Sequence, residues 1–155
     1  MKLGFKYVSE TLNEVKHEGG LSFDCALSGV SMCCVLHIGN LLYAANIGTT
    51  GAVILRSMPD KDPFFYPLVT SNVAGRGDEM KRIFNSGGEV RLDVKNTPRI
   101  YCKGRVYPGI KNSKGLGNMV ANVIGVTDDP DIKIDKINSK SVDVAIHLGN
   151  VGLSD

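Results

Sequence analysis

The side chains in this sequence best suited to chemistry are cationic and close together. Lys103, Arg105, Lys111 and Lys114 lie around the turn Tyr107-Pro108-Gly109, with no acidic residue between Lys103 and Asn118. Ammonium and guanidinium groups set out this way make charge-assisted contacts to phosphate and carboxylate. The stretch therefore reads either as a solvated basic loop or as a docking surface for an acidic or phosphorylated partner segment. Ser113-Lys114-Gly115-Leu116-Gly117 looks like a nucleotide loop but lacks the spacing that ends in Gly-Lys-Ser/Thr, so a P-loop is excluded. His17, His37 and His147 fall at a predicted helix end and inside two apolar strands, with no Ser/His/Asp elbow beside them. Cys25, Cys33, Cys34 and Cys102 form no Cys-x-x-Cys pair, which points to buried, reduced thiols rather than zinc ligands.

The frame that must position these groups is modest in size. A chain of 155 residues fits one domain and buries about 70% of its unfolded surface, enough for a core without disulfides. A net charge of +2 with 6% aromatic residues is too mild for nucleic-acid binding. The start, Met1 to Glu10, has no apolar stretch long enough for a signal peptide, and nothing approaches the roughly 20 apolar residues of a membrane span. The expectation is a soluble protein, cytoplasmic or otherwise intracellular.

From Met1 to His17, apolar residues at three- and four-residue steps predict a helix ended by Gly19-Gly20. Met32–Ile38 and Leu41–Ile47 predict a hairpin about Gly39-Asn40, and Ala52–Leu55 a third strand after the turn Gly48–Gly51. Such continuously apolar runs are covered on both faces or are inner strands of a sandwich. Ser57–Tyr66 reads as a loop or irregular edge, and Asp78–Ser86 as a short helix stopped by Gly87-Gly88. Arg76-Gly77-Asp78 spells an adhesion tripeptide by chance. Glu89–Val94 and Arg99–Cys102 are short strands, Arg99–Asp131 is largely a long loop, Ile132, Ile134 and Ile137 partly alternate, and Val142–Leu148 is a last strand.

Lys103–Asn118, K-G-R-V-Y-P-G-I-K-N-S-K-G-L-G-N, resembles a motif of the metal-dependent protein Ser/Thr phosphatases, the type 2C or PPM family, which ends in Asp. Ser28-Gly29-Val30-Ser31-Met32 and Leu42–Val53 resemble two further family segments, and Glu79, Arg82, Ile83, Gly87, Gly88 and Val90 fit a third. Val123-Ile124-Gly125-Val126, Asp129-Pro130-Asp131-Ile132 and the tail from Val142 are similar to the later part of the family's domain.

This resemblance implies an α/β (α+β) fold, a partial two-sheet β-sandwich flanked by helices. It would be a single partial domain over residues 1–155, without the family's N-terminal Asp-Gly-His segment and C-terminal Asp-Asn segment. The implied family reaction is hydrolysis of phosphoserine or phosphothreonine by a water held between two Mg²⁺ or Mn²⁺ ions. Such ions want carboxylates, because their charge offsets the repulsion and dehydration of the ion pair. At the family's Asp positions stand Thr49, Asn118 and Val151, or Asn150 if the tail slips by one. The expectation is a pseudophosphatase with no catalytic residue and no metal or other cofactor. It would bind a protein, possibly phosphorylated, or join subunits of an assembly, and would not bind nucleic acid or membrane. The alternative is a Mg/Mn-dependent phosphatase fragment, or one completed by another chain. An incomplete sandwich also implies open strand edges, hence a partner chain or an oligomer.

Overall fold

A computed structural model describes residues 1–18, 24–58, 60–137 and 142–150, with side chains described for 1–14, 24–58 and 60–137. Helix α1 spans Lys2–Glu18, in agreement with the apolar period of the sequence. Strands β2 (Met32–Ile38) and β3 (Leu41–Ile47) form the expected hairpin, with Met32 opposite Ile47 and Ile38 opposite Leu41. Gly39 takes a φ of 60°, which an L side chain would resist and a two-residue turn of this kind requires. Strand β10 (Asp131–Lys136) pairs with the other edge of β3 and completes a three-stranded sheet.

At Gly48-Thr49 the chain changes sheets. Strand β4 (Thr50–Met58) lies between β5 (Lys61–Pro67) and β11 (Val142–Asn150) in a second antiparallel sheet. Leu42 and Ala44 pack with Ala52, Ile54 and Leu68, all essentially buried, and form the middle of a sandwich. Phe5 of α1 covers Ala45, Ile47 and Leu116 on the outer face of the first sheet. Leu116 belongs to a two-residue strand, β9 (Leu116–Gly117), paired with β1 (Gly29–Val30).

Helix α2 (Gly77–Asn85) belongs to a separate layer. Its Ile83 packs with Ile100, Ala121, Ile124 and Val126, next to a small sheet of β6 (Gly88–Leu92), β7 (Pro98–Cys102) and β8 (Pro108–Ile110). The stretch expected to be mainly loop thus contains two short strands and a 3₁₀ helix, Met119–Ile124, besides the anticipated β7.

Ser57–Tyr66 takes the second of its two expected forms, an irregular edge: β4 runs to Met58 with a register shift between Arg56 and Met58 and turns into β5, an edge strand paired Ile54 to Tyr66 and Leu55 to Phe65. Proline is tolerated there because an outer strand has a free side that needs no donor. The alternation at Ile132 and Ile134 is real, but both isoleucines point outward, 38% and 58% exposed. The polar residues between them turn toward the second sheet, where Lys133 Nζ donates to Tyr66 OH at 3.1 Å and Asp135 pairs with Arg56 at 3.4 Å. One ion pair and one lysine–tyrosine hydrogen bond seal that side of the sandwich. No helix among the described residues is long and apolar enough to cross a membrane.

Candidate functional site

The turn that carries the chain between the sheets also holds the first of the motif positions. Gly48 has a φ of 87°, and a Cβ there would overlap Ser31. The Ser31 hydroxyl accepts from the Thr49 backbone N–H at 3.1 Å and lies 3.5 Å from the Thr49 hydroxyl. Asn112 Nδ2 donates to the same Ser31 oxygen at 2.9 Å. Thr49 is thereby fixed in a small neutral hydroxyl and amide cluster. Asn150 follows from the far end of the chain, opposite Thr50 in the β11–β4 ladder; Val151 lies outside the described residues.

Asn118 sits at the start of the 3₁₀ helix in the left-handed conformation, φ 50° and ψ 40°, which Asn tolerates better than most residues. Its backbone N–H donates to Ser28 O at 2.8 Å, and its side chain covers Gly29, where any Cβ would overlap it. Gly29 is two residues before Ser31, so β1 joins the surroundings of Asn118 to those of Thr49. The two described positions supply a neutral hydroxyl and a neutral carboxamide. That donor set does not fit a pair of hard divalent ions, which bind through carboxylates. Among the described residues no three His, Cys, Asp or Glu side chains gather closely enough to hold a metal ion.

The carboxylates of this region are in a different place, in a partly buried network beneath the turn. Asn46, fully buried in β3, donates to Thr70 O at 3.1 Å and accepts from Thr50 Oγ1 at 2.6 Å. Asn72, also fully buried, accepts from the Gly48 N–H at 3.1 Å and donates to Asp131 Oδ2 at 2.7 Å. Asp131 further accepts from Lys114 Nζ at 2.6 Å and from Arg76 at 3.2 Å. Glu79, 2% exposed, bridges Arg76 at 3.1 Å and Arg82 at 2.5 Å, and Arg82 reaches the carbonyls of Ser113 and Gly125. The network ties α2 and the Asn112–Gly115 segment to the sheet crossing.

Its electrostatics are those of a closed structure. Burial pushes the Asp131 carboxyl up, but Lys114, Asn72 and Arg76 together hold it below the usual carboxylate range. The Arg76 guanidinium, bidentate on Asp78 at 2.7 Å, draws that carboxyl down to about 2, and Asp78 raises the guanidinium in turn. The network opens on a cleft of about 670 Å³. Lys2, Arg76 and Lys133 line it against Asp78, Asp129 and Asp131, a balance that leaves little field to concentrate a charged ligand.

Compared with known families, residues 3–155 match the model described as protein phosphatase 2C. The chain belongs to that family. Among curated relatives, "Probable protein phosphatase 2C 73" of Oryza sativa subsp. japonica is 28% identical over 138 residues, 88% of this chain and 32% of that protein. "Probable protein phosphatase 2C 12" of the same organism is 31% identical over 72% of this chain and 29% of its own length. This protein phosphatase 2C chain therefore spans about a third of the length of those relatives. A solved serine-threonine phosphatase 2C from Toxoplasma gondii superposes with a TM-score of 0.74 at 14% identity, over 88% of this chain and 45% of that one. A C. elegans sex determining protein gives 0.71 at 15% identity, over 90% and 30%. At such identities the structures show the shared fold alone.

The four basic candidates do not share one environment. Lys103 and Arg105 are exposed in the turn between β7 and β8 of this 2C-type fold, and Lys111 is half-buried. Lys114 is 7% exposed and committed to Asp131. It is therefore removed from the docking set, because its charge already neutralises an internal carboxylate. Arg91 stacks on Tyr101 at 4.0 Å and donates to Arg105 O, which steadies the exposed turn. Arg76 and Asp78 of the chance tripeptide face each other rather than a receptor. Sequence reasoning missed Asn46, Asn72 and Arg76; the available signal was a lone Asn inside the apolar run Leu41–Ile47.

Proposed function

We propose that this member of the protein phosphatase 2C family is a pseudophosphatase domain that acts inside the cell as a protein-binding or assembly subunit. The observation that carries the reading is the separation of carboxylates from the motif positions. Thr49 and Asn118 offer neutral oxygens, while Asp78, Glu79 and Asp131 are bound by Arg76, Arg82 and Lys114. A bridging water becomes a nucleophile near neutral pH only when metals lower its pKa, and neutral donors do not hold such metals well.

Calorimetry of the whole chain with Mn²⁺, followed by phosphopeptide hydrolysis on the same sample, tests this. The expected result is no saturable heat and no turnover. Saturable binding with turnover would assign the chain to the rival reading, a Mg/Mn-dependent Ser/Thr phosphatase fragment. Turnover restored only by adding another chain would mean that a second polypeptide completes the site.

Lys103 and Arg105 are the charges available to a phosphorylated or acidic partner. Lys103→Glu with Arg105→Glu is expected to weaken capture of a phosphopeptide and flatten its salt dependence; unchanged capture would remove this turn from the interface.

A further inference from the structure

We propose that the outer face of the β6–β7–β8 sheet is a docking groove for an acidic, extended segment of another protein that carries one large apolar anchor. The inference rests on the protein-binding reading above and gives that partner a chemistry. Residues from Gly87 to Asn112 hold six cations, Arg91, Lys95, Arg99, Lys103, Arg105 and Lys111, against two acids, Glu89 and Asp93. Both acids are taken: Glu89 pairs with Arg91 at 3.0 Å and Asp93 with Arg99 at 2.6 Å. Lys95, Lys103 and Arg105 are exposed, and their side chains meet no acid among the described residues. Between them lies a recess of about 200 Å³ lined by Arg91, Leu92, Tyr101 and Val106. Leu92 and Val106 are 61% and 86% exposed. The guanidinium of Arg91, stacked on Tyr101, also holds the Val106 loop over the sheet through Arg105 O, so the recess is set before any partner arrives.

The dimensions specify the occupant. Lys95 sits in the turn before β7 and Lys103 directly after it, and the extended residues of β7 set those ends about 17 Å apart. Arg91 and Tyr101 belong to the register between them, opposite Arg99 and Glu89. A strand-like segment of about six residues spans that length, with an anchor near its middle and a carboxylate toward each end. A cavity of ~150 Å³ holds a benzene ring, so the recess takes one aromatic or large aliphatic side chain, and an aromatic ring gains further from the Arg91 guanidinium. Exposed ion pairs add little each, so the anchor supplies affinity while the cations select and steer. A second copy of this face is a poor occupant because cation would meet cation. A phosphate group wants several donors converging on one point, and these are spread over the two ends of a strand. Exposed Val94 and Val106 lie in opposite turns, so the sheet has no single apolar tip to enter a bilayer.

Fluorescence anisotropy of the whole chain with labelled Glu-Glu-Ser-Phe-Ser-Glu-Glu tests the proposal. The expected result is saturable binding with a Kd below about 1 mM at low salt, weaker as salt rises. Alanine in place of the peptide's Phe, Val106→Asp in the chain, and Lys95→Glu with Lys103→Glu and Arg105→Glu are each expected to weaken it roughly tenfold or more. The substituted side chains of the chain are exposed, so an unchanged circular dichroism spectrum separates lost binding from lost fold. No saturation up to about 1 mM peptide, or binding indifferent to both the Phe and Val106, would overturn the proposal. Capture of a phosphoserine peptide without carboxylates, and not of this one, would overturn the groove and leave the protein-binding reading standing. Pelleting with phosphatidylserine vesicles in place of peptide binding would give the face to a membrane and overturn the groove too. Turnover of a phosphopeptide with Mn²⁺ by a chain that still binds Glu-Glu-Ser-Phe-Ser-Glu-Glu would end the pseudophosphatase reading and keep the groove.

Discussion

The sheet-crossing turn and the network beneath it are neighbours in sequence and opposite in chemistry. Gly48 lends its backbone to both, accepting the Asn72 N–H from below and resting on Ser31 above. Above it Thr49, Ser31 and Asn112 exchange neutral hydrogen bonds. Below it three carboxylates are matched by two arginines and a lysine. The lesson of the contrast is one of allocation: in this domain negative charge joins α2 to the sandwich and is not presented at the turn. A buried carboxylate with two guanidinium partners is costly to disturb, whereas a surface hydroxyl is not.

The comparison is broken most severely by Glu79→Ala, which leaves Arg76 and Arg82 facing a buried void. A loss of about 3 kcal/mol is expected, read as a lower urea midpoint; a loss below about 0.5 kcal/mol would mean the network is incidental to stability. Next in size is Asn72→Ala, which strands the Gly48 N–H and one acceptor position on Asp131, for about 1–3 kcal/mol. The chemical contrast is sharpened by Thr49→Asp with Asn118→Asp. If the turn lacks only charge, Mn²⁺ affinity rises by roughly tenfold or more while thermal stability changes little, and calorimetry reads the first without the second.

Acid gives a subtler separation. The folded-state carboxyls of Asp78 and Asp93 lie at about 2, depressed by Arg76 and Arg99 respectively. A depressed carboxyl contributes stability above its unfolded value of about 3.9 and loses it as the pH falls through the folded one. Stability is therefore expected to decline between about pH 4 and pH 2. Arg76→Ala should remove the part due to Asp78 and leave the part due to Asp93, a difference that melting curves at several pH values would show. The smallest effect belongs to Ser113→Ala. The Ser113 hydroxyl is buried without a hydrogen-bond partner among the described residues, so its removal is expected to be neutral or slightly stabilising.

Much of the frame was legible in the residues themselves. The Gly39-Asn40 hairpin, α1, α2 and the β6–β7 pair follow from local period and turn chemistry, which depend on neighbours a few positions apart. Thr49 and Asn118 were singled out by the resemblance of their segments to the family's motifs. The network was not, because Asn72 and Asp131 lie 59 positions apart and no period records which distant side chains will meet. Lys114 was misread for the same reason: in sequence it belongs to a basic run, and only the arrival of Asp131 gives it a private partner. The partial alternation of Ile132 and Ile134 in β10 reports that residues share a face but not which face turns inward.

The position of β10 in the first sheet has a consequence for how the molecule comes together. The β2–β3 hairpin is local and forms on the microsecond scale, about 1–10 μs in general, while β10 returns to β3 only after β4, β5 and the α2 layer have been synthesised. Its return delivers Asp131 to Asn72, Arg76 and Lys114 in a single docking event. Closure of so long a loop is entropically demanding and slows folding relative to local pairing. Until that docking the β10 side of β3 is open, so the hairpin exists before the strand that completes its three-stranded sheet among the described residues. On a ribosome or in refolding, pairing with the wrong strand would be a hazard of early life for this chain rather than of its finished state.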